Sequence, residues 1–364
     1  MNIDIIVGAR PNFMKIAPII AEIKRVKQLG ENINYRLIHT GQHYDKKMSG
    51  DFFEELGIPE PDENLGAGGG TQAEQTAAIM VGYEKLLMTK AANICLVVGD
   101  VTSSMACAIV AKKQHLLVVH VEAGIRSRDL TMPEEINRMV TDSITDYFYT
   151  TSETANQNLR KVGIEDNRII FVGNTMIDTL LKNISRLKKP AIFEEFELKE
   201  DNYFVLTLHR PANVDGEQKL KTLLDRIIEG SKSLPILFPV HPRTAKNLQN
   251  LGIKAPNLFM VEPMSYLEFN FVVKNSKAVI TDSGGITEET TQMGIPCITL
   301  RNNTERPETI EIGTNELIGT NPDNVLPAFE KLFSGNWKKG GIPPFWDGKT
   351  SERIIEHLLT VEQK

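Results

Sequence analysis

The chain of 364 residues has only three cysteines, Cys95, Cys107 and Cys297, and each lies within an apolar stretch. None belongs to a CxxC pair and the number is odd, so neither a disulfide framework nor a zinc site is expected. Such sparing use of cysteine is typical of proteins in the reducing cytosol. We therefore expect a cytoplasmic protein.

Long apolar runs and a basic surplus are also missing. No apolar stretch approaches the roughly 20 residues that span a bilayer, and Met1–Val7 turns at Gly8 without the apolar core of a signal peptide. The 41 basic and 47 acidic residues leave a net charge of -6. That balance provides no field to attract nucleic acid or an anionic membrane, so neither is expected as a partner.

Short apolar runs alternate with longer amphipathic stretches along the whole chain. A single core stops growing at roughly 250–300 residues, so two domains are expected. Runs of four to eight residues with little polar alternation predict strands buried on both faces of a parallel sheet. These runs are Ile3–Val7, Arg36–His39, Ile94–Val98, Leu116–Val121, Tyr147–Thr150, Ile169–Val172, Tyr203–Leu208, Ile236–Val240, Leu258–Val261, Ala278–Thr281 and Cys297–Leu300. Helical stretches such as Phe13–Lys27 and Ala73–Leu87 separate them, and the alternation predicts an α/β fold with doubly wound sheets.

Charge and poor periodicity interrupt this pattern at Leu187–Asn202, which we interpret as a linker. It divides the chain into an N-terminal domain of residues 1–186 and a C-terminal domain of residues 187–350. Residues 351–364 contain a last predicted helix that could cross back onto the first domain. The glycine-rich stretch Gly66–Gly70 follows no predicted strand and is interpreted as a mobile loop.

The first predicted strand passes into the first predicted helix through Gly8, Ala9 and Arg10. A helix N-terminus at the carboxyl end of a parallel strand offers free N–H groups and a positive dipole end to phosphate. Arg10 can add a bidentate fork. The alternative is a plain turn with Arg10 and Lys15 at the surface, and the residues alone favour neither.

A second turn of this kind begins after Thr281. Ser283 can cap the following helix, while Gly284 and Gly285 would let a ligand approach the backbone. Glu288 or Glu289, about one turn into the helix, could accept hydrogen bonds from ribose hydroxyls. The alternative is a capping box in which the glutamates serve the helix dipole; the adjacent glycines favour the ligand.

Acidic residues end two predicted strands and open a helix. Asp100 and Glu122 each follow an apolar strand, and Glu134, beside Glu135, follows Pro133. Carboxylates that converge on one sheet edge could act as acids and bases. The alternative is that they cap helices or pair with arginines, of which the nearby ones are Arg126, Arg128 and Arg138.

Histidines end two strands of the second half, His209 beside Arg210 and His241 near Arg243. A lone histidine is usually structural, but two beside arginines suggest an anionic ligand. The stretch Arg301–Glu308 adds two more arginines beyond a strand, Arg301 and Arg306. No HExxH spacing, GxSxG elbow or GxGxxG fingerprint occurs.

Together these residues resemble the non-hydrolysing UDP-N-acetylglucosamine 2-epimerase family. The resemblance covers nearly the whole chain, and its motifs follow the family's order. They are Gly8-Ala9-Arg10-Pro11, Gly41-Gln42-His43-Tyr44-Asp45, Gly99-Asp100, His120-Val121-Glu122-Ala123-Gly124-Ile125-Arg126, Pro133-Glu134-Glu135-Ile136-Asn137-Arg138, Val172-Gly173-Asn174, His209-Arg210, Asp282-Ser283-Gly284-Gly285 and Glu305-Arg306-Pro307-Glu308.

The resemblance implies two Rossmann-like domains of the glycosyltransferase B-type fold, with the active site in the cleft between them. It also implies a homodimer that needs neither a nicotinamide cofactor nor a metal. Matching motifs suggest catalytic roles for Asp100, Glu122, Glu134 and His209. The implied substrate-binding residues are Arg10, Lys15, His241, Ser283, Gly284, Gly285, Glu289 and Arg306. In some relatives a second substrate molecule activates the enzyme; Gln42, His43 and Arg210, together with His241, match parts of that regulatory site.

The implied reaction interconverts UDP-N-acetylglucosamine and UDP-N-acetylmannosamine by elimination and re-addition of UDP, for surface polysaccharide precursors. The motif Ala9-Arg10-Pro11-Asn12-Phe13 departs from the common Thr-Arg-Pro-Glu-Ala. It is closer to relatives acting on diacetamido-sugar uronates, so such a sugar is an alternative substrate. A glycosyltransferase on the same fold is the second alternative, and a catalytically silent sensor of sugar nucleotides is the third. The three acidic residues favour proton transfer over both.

Overall fold

The apolar runs that predict strands form two parallel sheets, one in each of two units of the chain. The computed structural model describes residues 1–41, 53, 55–240, 248, 252–253 and 255–361, with only the backbone described at Arg10. The first unit comprises Met1–Lys182 and Pro344–Lys364, and the second comprises Asn183–Pro343. Residues 183–186 therefore belong to the second unit and residues 344–350 to the first, the reverse of the assignment predicted from the sequence.

The first sheet has its strands in the order β3-β2-β1-β4-β5-β6-β7, all parallel. They are β1 Asn2–Val7, β2 Asn34–His39, β3 Glu63–Asn64, β4 Ile94–Val98, β5 Leu117–Val121, β6 Tyr147–Thr150 and β7 Ile169–Phe171. Every residue of β4 is buried, as expected for a central strand covered on both faces. The order reverses between β1 and β4, and the carboxyl ends flanking such a switch point are where α/β sheets bind ligands.

The second sheet repeats this topology in the order β10-β9-β8-β11-β12-β13. Its strands are β8 Phe204–Thr207, β9 Ile236–Pro239, β10 Leu258–Val261, β11 Ala278–Thr281, β12 Cys297–Thr299 and β13 Asn315–Leu317. Here the order reverses between β8 and β11, whose carboxyl ends lead to His209 and Asp282. The prediction of an α/β fold with doubly wound parallel sheets is confirmed.

Two edge strands, β3 and β13, are not predicted by the sequence, because two or three residues are too few to show a pattern. The strand β3 comes just before Gly66–Gly70, so the premise that no strand precedes this stretch is wrong. Within the stretch Gly66–Gly70, Ala67 is buried, and its amide donates a hydrogen bond to the Thr40 carbonyl at 2.8 Å. A Cβ at Gly41, where φ is +99°, would lie 2.5 Å from the Ala67 nitrogen, so this approach requires glycine.

Helices connect the strands in both units. They are Arg10–Gln28, Gln72–Thr89, Thr102–Lys113, Pro133–Ile144, Glu153–Lys161, Thr175–Asn183, Ile192–Glu195, Pro211–Val214, Glu217–Gly230, Tyr266–Lys274, Gly284–Met293, Glu308–Glu311, Val325–Phe333 and Thr350–Thr360. Within the described part of the chain, none of them has both the length and the apolar character that crossing a bilayer requires.

The stretch interpreted as a linker, Leu187–Asn202, is part of the second unit's core. It contains the short helix Ile192–Glu195, and its Phe193 and Leu198 are buried. Phe193 packs edge to face against Tyr203, with ring centroids 5.6 Å apart. The linker interpretation is therefore wrong. The many charged residues of this stretch hid the pattern of the apolar residues between them, of which Phe193 and Leu198 are buried.

The last helix, Thr350–Thr360, packs on helix Arg10–Gln28 of the same unit. The residue at its N-cap, Lys349, makes no side-chain capping bond. Asp178 supplies the cap instead: its carboxylate accepts hydrogen bonds from the amides of Thr350 at 3.1 Å and Ser351 at 2.8 Å, and from the Ser351 hydroxyl at 2.8 Å. A distant carboxylate thus fixes the C-terminal segment to the first unit.

We predict that Asp178→Ala lowers the free energy of unfolding by about 1–3 kcal/mol, because two buried amides lose their acceptor. Arg160→Ala is the control, since Arg160 belongs to exposed ion pairs with Glu153 and Asp166 and should cost at most about 1 kcal/mol. Urea unfolding of both variants measures the difference. Equal effects would show that Asp178 is not the anchor of the last helix.

Candidate active site

A buried ion pair lies at the carboxyl edge of the first sheet. The Lys15 ammonium is 2.6 Å from a Glu122 carboxylate oxygen, and both side chains are less than a tenth exposed. Glu122 follows β5 with a φ of 68°, an uncommon conformation for a residue with a side chain. At Gly99 a Cβ would lie 3.2 Å from the Lys15 ammonium, so glycine at this turn leaves room for the pair. The first sheet thus keeps a lysine and a glutamate out of water beside its switch point.

Asp100 continues the same turn after β4. Its carboxylate forms an ion pair with Arg138, and its backbone carbonyl accepts a hydrogen bond from the side-chain amide of Asn137 at 2.9 Å. The Asp100 side chain remains about a quarter exposed, whereas Arg138 is wholly buried. The arginine partner foreseen as an alternative therefore exists, yet one face of the carboxylate is still open to solvent.

The two neighbouring glutamates at the start of helix Pro133–Ile144 have different environments. Glu135 is buried and accepts hydrogen bonds from the Ser127 amide at 2.8 Å, the Ser127 hydroxyl at 3.0 Å and the Arg128 amide at 3.1 Å. Glu134 is exposed on the first turn. Glu135 therefore shapes the preceding loop, and Glu134 is the one whose carboxylate a ligand could reach.

His120, which was not among the predicted site residues, supports the turn after β4 at the carboxyl edge of the first sheet. It is completely buried, with Nδ1 2.7 Å from a carboxylate oxygen of Asp142 and Nε2 2.9 Å from the carbonyl oxygen of Gly99. Both partners are acceptors, so an imidazolium donating from both nitrogens satisfies them. Burial alone would raise the pKa of Asp142, but His120 and Arg126, 2.6 Å away, hold it below its ordinary value. This network fixes the turn that carries Asp100.

In the second unit, His209 lies at the carboxyl end of β8. Its Nδ1 is 2.7 Å from a carboxylate oxygen of Asp282, and its side chain is 60% exposed. Arg210 follows: its Nε donates to the Asp282 carbonyl at 3.1 Å, and its guanidinium is 3.8 Å from Glu305. Asp282 thus holds both His209, for which the resemblance implies a catalytic role, and Arg210, for which it implies a regulatory role.

Ser283 occupies the N-cap position of helix Gly284–Met293, but its side chain makes no capping hydrogen bond. Its amide donates to the Thr281 hydroxyl at 3.0 Å. The predicted cap and the capping-box alternative are therefore both wrong. The first N–H groups of this helix are left to another acceptor, as in anion-binding helix termini.

Two buried arginines lie at this helix start. A Cβ at Gly284 would be 2.8 Å from the Arg306 guanidinium and 3.7 Å from that of Arg301, so glycine here leaves room for Arg306. Arg306 forms an ion pair with Glu288, and Arg301 pairs with Glu305 at 2.6 Å. Among the described residues, one terminal nitrogen of Arg301 is buried without a hydrogen-bond partner. An anion at the helix start could accept from it.

Glu289, the predicted ribose ligand, is buried inside the second unit. The side-chain amide of Asn270 donates a hydrogen bond to the Glu289 carboxylate at 3.5 Å. Burial raises its pKa to about 7, and the hydrogen bonds it accepts offset only part of that rise. Its neighbour Glu288 forms an ion pair with Arg306.

Three predicted residues, Gln42, His43 and His241, lie outside the described residues, and Arg10 is described only as the first residue of its helix. Gly285 lies in the first turn of helix Gly284–Met293. Over the described ranges, no group of three or more His, Cys, Asp or Glu residues is arranged to hold a metal ion.

Four residues of the site were not proposed from the sequence: Asn12, His120, Asp142 and Asp282. Asn12 accepts from the Ala9 amide at 3.1 Å and donates to the Val98 carbonyl at 3.1 Å, which fixes helix Arg10–Gln28 to β4 and starts it three residues earlier than predicted. A polar residue at the third helical position was a usable signal for Asn12. The others depend on partners far away in the sequence.

A family model described as UDP-N-acetylglucosamine 2-epimerase matches residues 25–359 of the chain. The UDP-N-acetylglucosamine 2-epimerase of Methanocaldococcus jannaschii is 42% identical over 371 residues, covering 98% of this chain and 99% of the relative. The UDP-2,3-diacetamido-2,3-dideoxy-D-glucuronate 2-epimerase of Pseudomonas aeruginosa is 35% identical over 361 residues, with coverages of 98% and 99%.

Solved structures of UDP-GlcNAc 2-epimerases have a similar fold. The crystal structure of the M. jannaschii enzyme in complex with UDP-GlcNAc and UDP matches with a TM-score of 0.87 at 42% identity, covering 98% of this chain and 99% of that one. The Neisseria meningitidis UDP-GlcNAc 2-epimerase bound to UDP-GlcNAc matches with a TM-score of 0.88 at 28% identity, covering 99% and 100%. The predicted α/β fold of the glycosyltransferase B type is confirmed.

We predict that Glu289→Gln stabilises the protein relative to wild type as pH rises. A raised pKa means that stability is present below the unfolded value near 4.5 and is lost as pH rises to about 7. Because each pKa unit corresponds to about 1.4 kcal/mol, the difference between variant and wild type should grow by roughly 3 kcal/mol over that interval. Urea unfolding at several pH values measures it, with the exposed Glu330→Gln as control. A difference independent of pH would contradict the raised pKa.

Proposed function

The chain belongs to the UDP-N-acetylglucosamine 2-epimerase family, and on that premise we propose that it interconverts UDP-N-acetylglucosamine and UDP-N-acetylmannosamine. It is an isomerase that inverts the configuration at C2 of the sugar. The observation that carries this proposal is the buried Lys15–Glu122 pair at the first unit's switch point, beside the turn that presents Asp100. Carboxylates retained there suit proton transfer to and from carbon.

The chemistry follows from the substrate. The proton on C2 of a pyranose is not acidic, because no carbonyl group lies next to that carbon. Departure of UDP from C1 builds positive charge at C1 and acidifies the C2 proton, and loss of that proton leaves 2-acetamidoglucal with UDP still bound. Return of a proton to the opposite face of C2, with re-addition of UDP at C1, completes the inversion. Water must be excluded while the intermediate exists.

The sugar chemistry is assigned to the first unit. Glu122 and Asp100, together with the exposed Glu134, are the proposed proton donors and acceptors. Lys15 balances the charge of Glu122 and supports this side of the site. Two faces of C2 have to be served, so at least two of the three carboxylates should take part.

The nucleotide is assigned to the second unit. The start of helix Gly284–Met293, with Ser283 and Gly285, supplies N–H groups for the diphosphate, and Arg306 and Arg301 add positive charge. Glu289 would accept hydrogen bonds from the ribose. His209, whose side chain is largely exposed, is proposed as a catalytic residue beside the sugar.

Other assignments rest on the resemblance alone. Arg10 and His241 are proposed to bind the substrate as well. Gln42, His43 and Arg210 would belong to a regulatory site for a second substrate molecule. The product would enter surface polysaccharides, and the enzyme would act in the cytoplasm, where its three buried free cysteines remain reduced. A homodimer is proposed too, which sedimentation equilibrium would test.

A second candidate substrate is a UDP-diacetamido-sugar uronate, since the P. aeruginosa relative acts on UDP-2,3-diacetamido-2,3-dideoxy-D-glucuronate. Parallel measurements of kcat/KM on both nucleotide sugars would decide between them. A higher value for the uronate would replace the first proposal while leaving C2 epimerisation intact.

We expect Asp100→Asn, Glu122→Gln and Glu134→Gln each to lower turnover by about 10²–10⁴-fold, the usual contribution of a general acid or base, while UDP still binds. The measurement is turnover and C2 deuterium incorporation in deuterated water, alongside the melting temperature. Glu135→Gln is a matched control: the buried Glu135 holds backbone amides, so it should lower stability more than turnover. Near-normal turnover in all three variants would defeat the acid–base assignment.

We expect Arg301→Met to weaken UDP binding by roughly 10- to 100-fold, the effect of losing a hydrogen bond to a charged group. Uridine lacks the diphosphate, so its affinity should hardly change. Calorimetry with both ligands measures the two losses, and Arg226→Met, which alters a partly exposed arginine of the same unit, is the control. Equal losses for UDP and uridine would show that Arg301 acts through packing and not through the phosphates.

A further inference from the structure

The carboxylate of Asp282 accepts several hydrogen bonds within the second unit. It is completely buried directly after β11. Its oxygens accept hydrogen bonds from the His209 amide at 3.1 Å, the Arg210 amide at 3.0 Å and the Asn213 side chain at 3.0 Å. Asp282 therefore holds the backbone that leads out of β8 as well as the imidazole that this backbone carries.

The imidazole of His209 is held on one side only. Its Nδ1 is 2.7 Å from Asp282 Oδ1, while most of the side chain is exposed. Burial alone would raise the pKa of Asp282, but the hydrogen bonds from His209, Asn213 and the Arg210 amide hold it below its ordinary value, so the carboxylate is ionised at neutral pH. An ionised carboxylate accepts only, and Nδ1 must therefore carry the proton. The other ring nitrogen, Nε2, is the one presented to solvent.

We propose that Asp282 is a positioning residue that fixes the Nδ1–H tautomer of His209, so that Nε2 meets the substrate as a proton acceptor or, once charged, as a donor. The inference rests on the proposed function, which places His209 beside the sugar. Asp282 also precedes Ser283, the N-cap of the helix assigned to the diphosphate. A single buried carboxylate would thus hold His209 in register with the nucleotide.

A purely structural role for Asp282 makes a different prediction. Its carboxylate also accepts backbone amides, so any substitution loosens the loop after β8. Asp282→Asn separates the two roles, because the amide oxygen can still accept from the amides of His209 and Arg210. The amide nitrogen, however, donates to Nδ1 and forces the proton onto Nε2, the exchange of tautomers known to disable catalytic histidines.

The direct test is nitrogen NMR of histidine-labelled protein, with the His209 signal among the seven histidines assigned from His209→Asn. We expect wild-type protein at a pH where this ring is neutral to carry the proton on Nδ1, and Asp282→Asn to carry it on Nε2. Asn213→Ala is the matched control: it removes another hydrogen bond to Asp282 and should keep the Nδ1 proton. A wild-type ring protonated on Nε2 alone would overturn the proposal whether or not Asp282→Asn folds.

Kinetics test whether the tautomer is used. We expect Asp282→Asn to lower kcat by about 10²-fold or more while UDP affinity stays within about twofold. The double variant with His209→Asn should be no slower than His209→Asn alone, within about twofold. Losses that multiply would show that Asp282 acts independently of His209, and would overturn the proposal. Wild-type protein that does not epimerise UDP-N-acetylglucosamine would defeat the proposed function, whereas the NMR result would be unaffected.

Discussion

In each unit a buried aspartate contacts Nδ1 of a histidine beside the switch point of the sheet. This contact fixes the loops that carry the candidate site residues. In the first unit Asp142 holds His120, and in the second Asp282 holds His209. The two pairs differ in the other ring nitrogen. That of His120 is engaged by the Gly99 carbonyl inside the protein, whereas His209 is mostly exposed. The same pair of residue types therefore holds a wholly buried ring in one unit and a largely exposed ring, the proposed catalytic histidine, in the other.

The remaining charges at the two switch points are arranged at a cost in stability. The pairs Lys15–Glu122 and Arg301–Glu305 are almost wholly buried, and taking both members out of water costs several kcal/mol per ion before their attraction repays it. Apolar residues of similar size would often serve the fold better. These charges lie at the carboxyl ends of strands, and one guanidinium nitrogen of Arg301 has no hydrogen-bond partner among the described residues. Ligand binding explains the presence of these charges better than the stability of the fold does.

Local pattern predicted the elements well because buried parallel strands are continuous apolar runs. The bounds of β4, β6, β10 and β11 agree with the prediction to the residue. What failed depended on tertiary contacts: Phe193 and Leu198 turn inward from a charged stretch, and the cap of the last helix comes from Asp178. The candidate site residues were proposed from the order of the motifs, and the sequence could not reveal which residues hold them in place. Asp282 stood inside a quoted motif, but its partner His209 lies 73 positions away.

The departure at Asn12 and Phe13 illustrates the same point for substrate choice. Asn12 uses both ends of its amide within the first unit: its oxygen accepts the Ala9 amide and its nitrogen donates to the Val98 carbonyl. The glutamate common at this position in the family could accept but, when ionised, could not donate to Val98. Phe13 is likewise buried and stacks on His39, with ring centroids 5.6 Å apart. Both departures are thus explained by packing between the first helix and its sheet. The resemblance of this motif to uronate-specific relatives therefore says little about the sugar, and a preference between the two candidate substrates has to come from residues that touch C3 or C6.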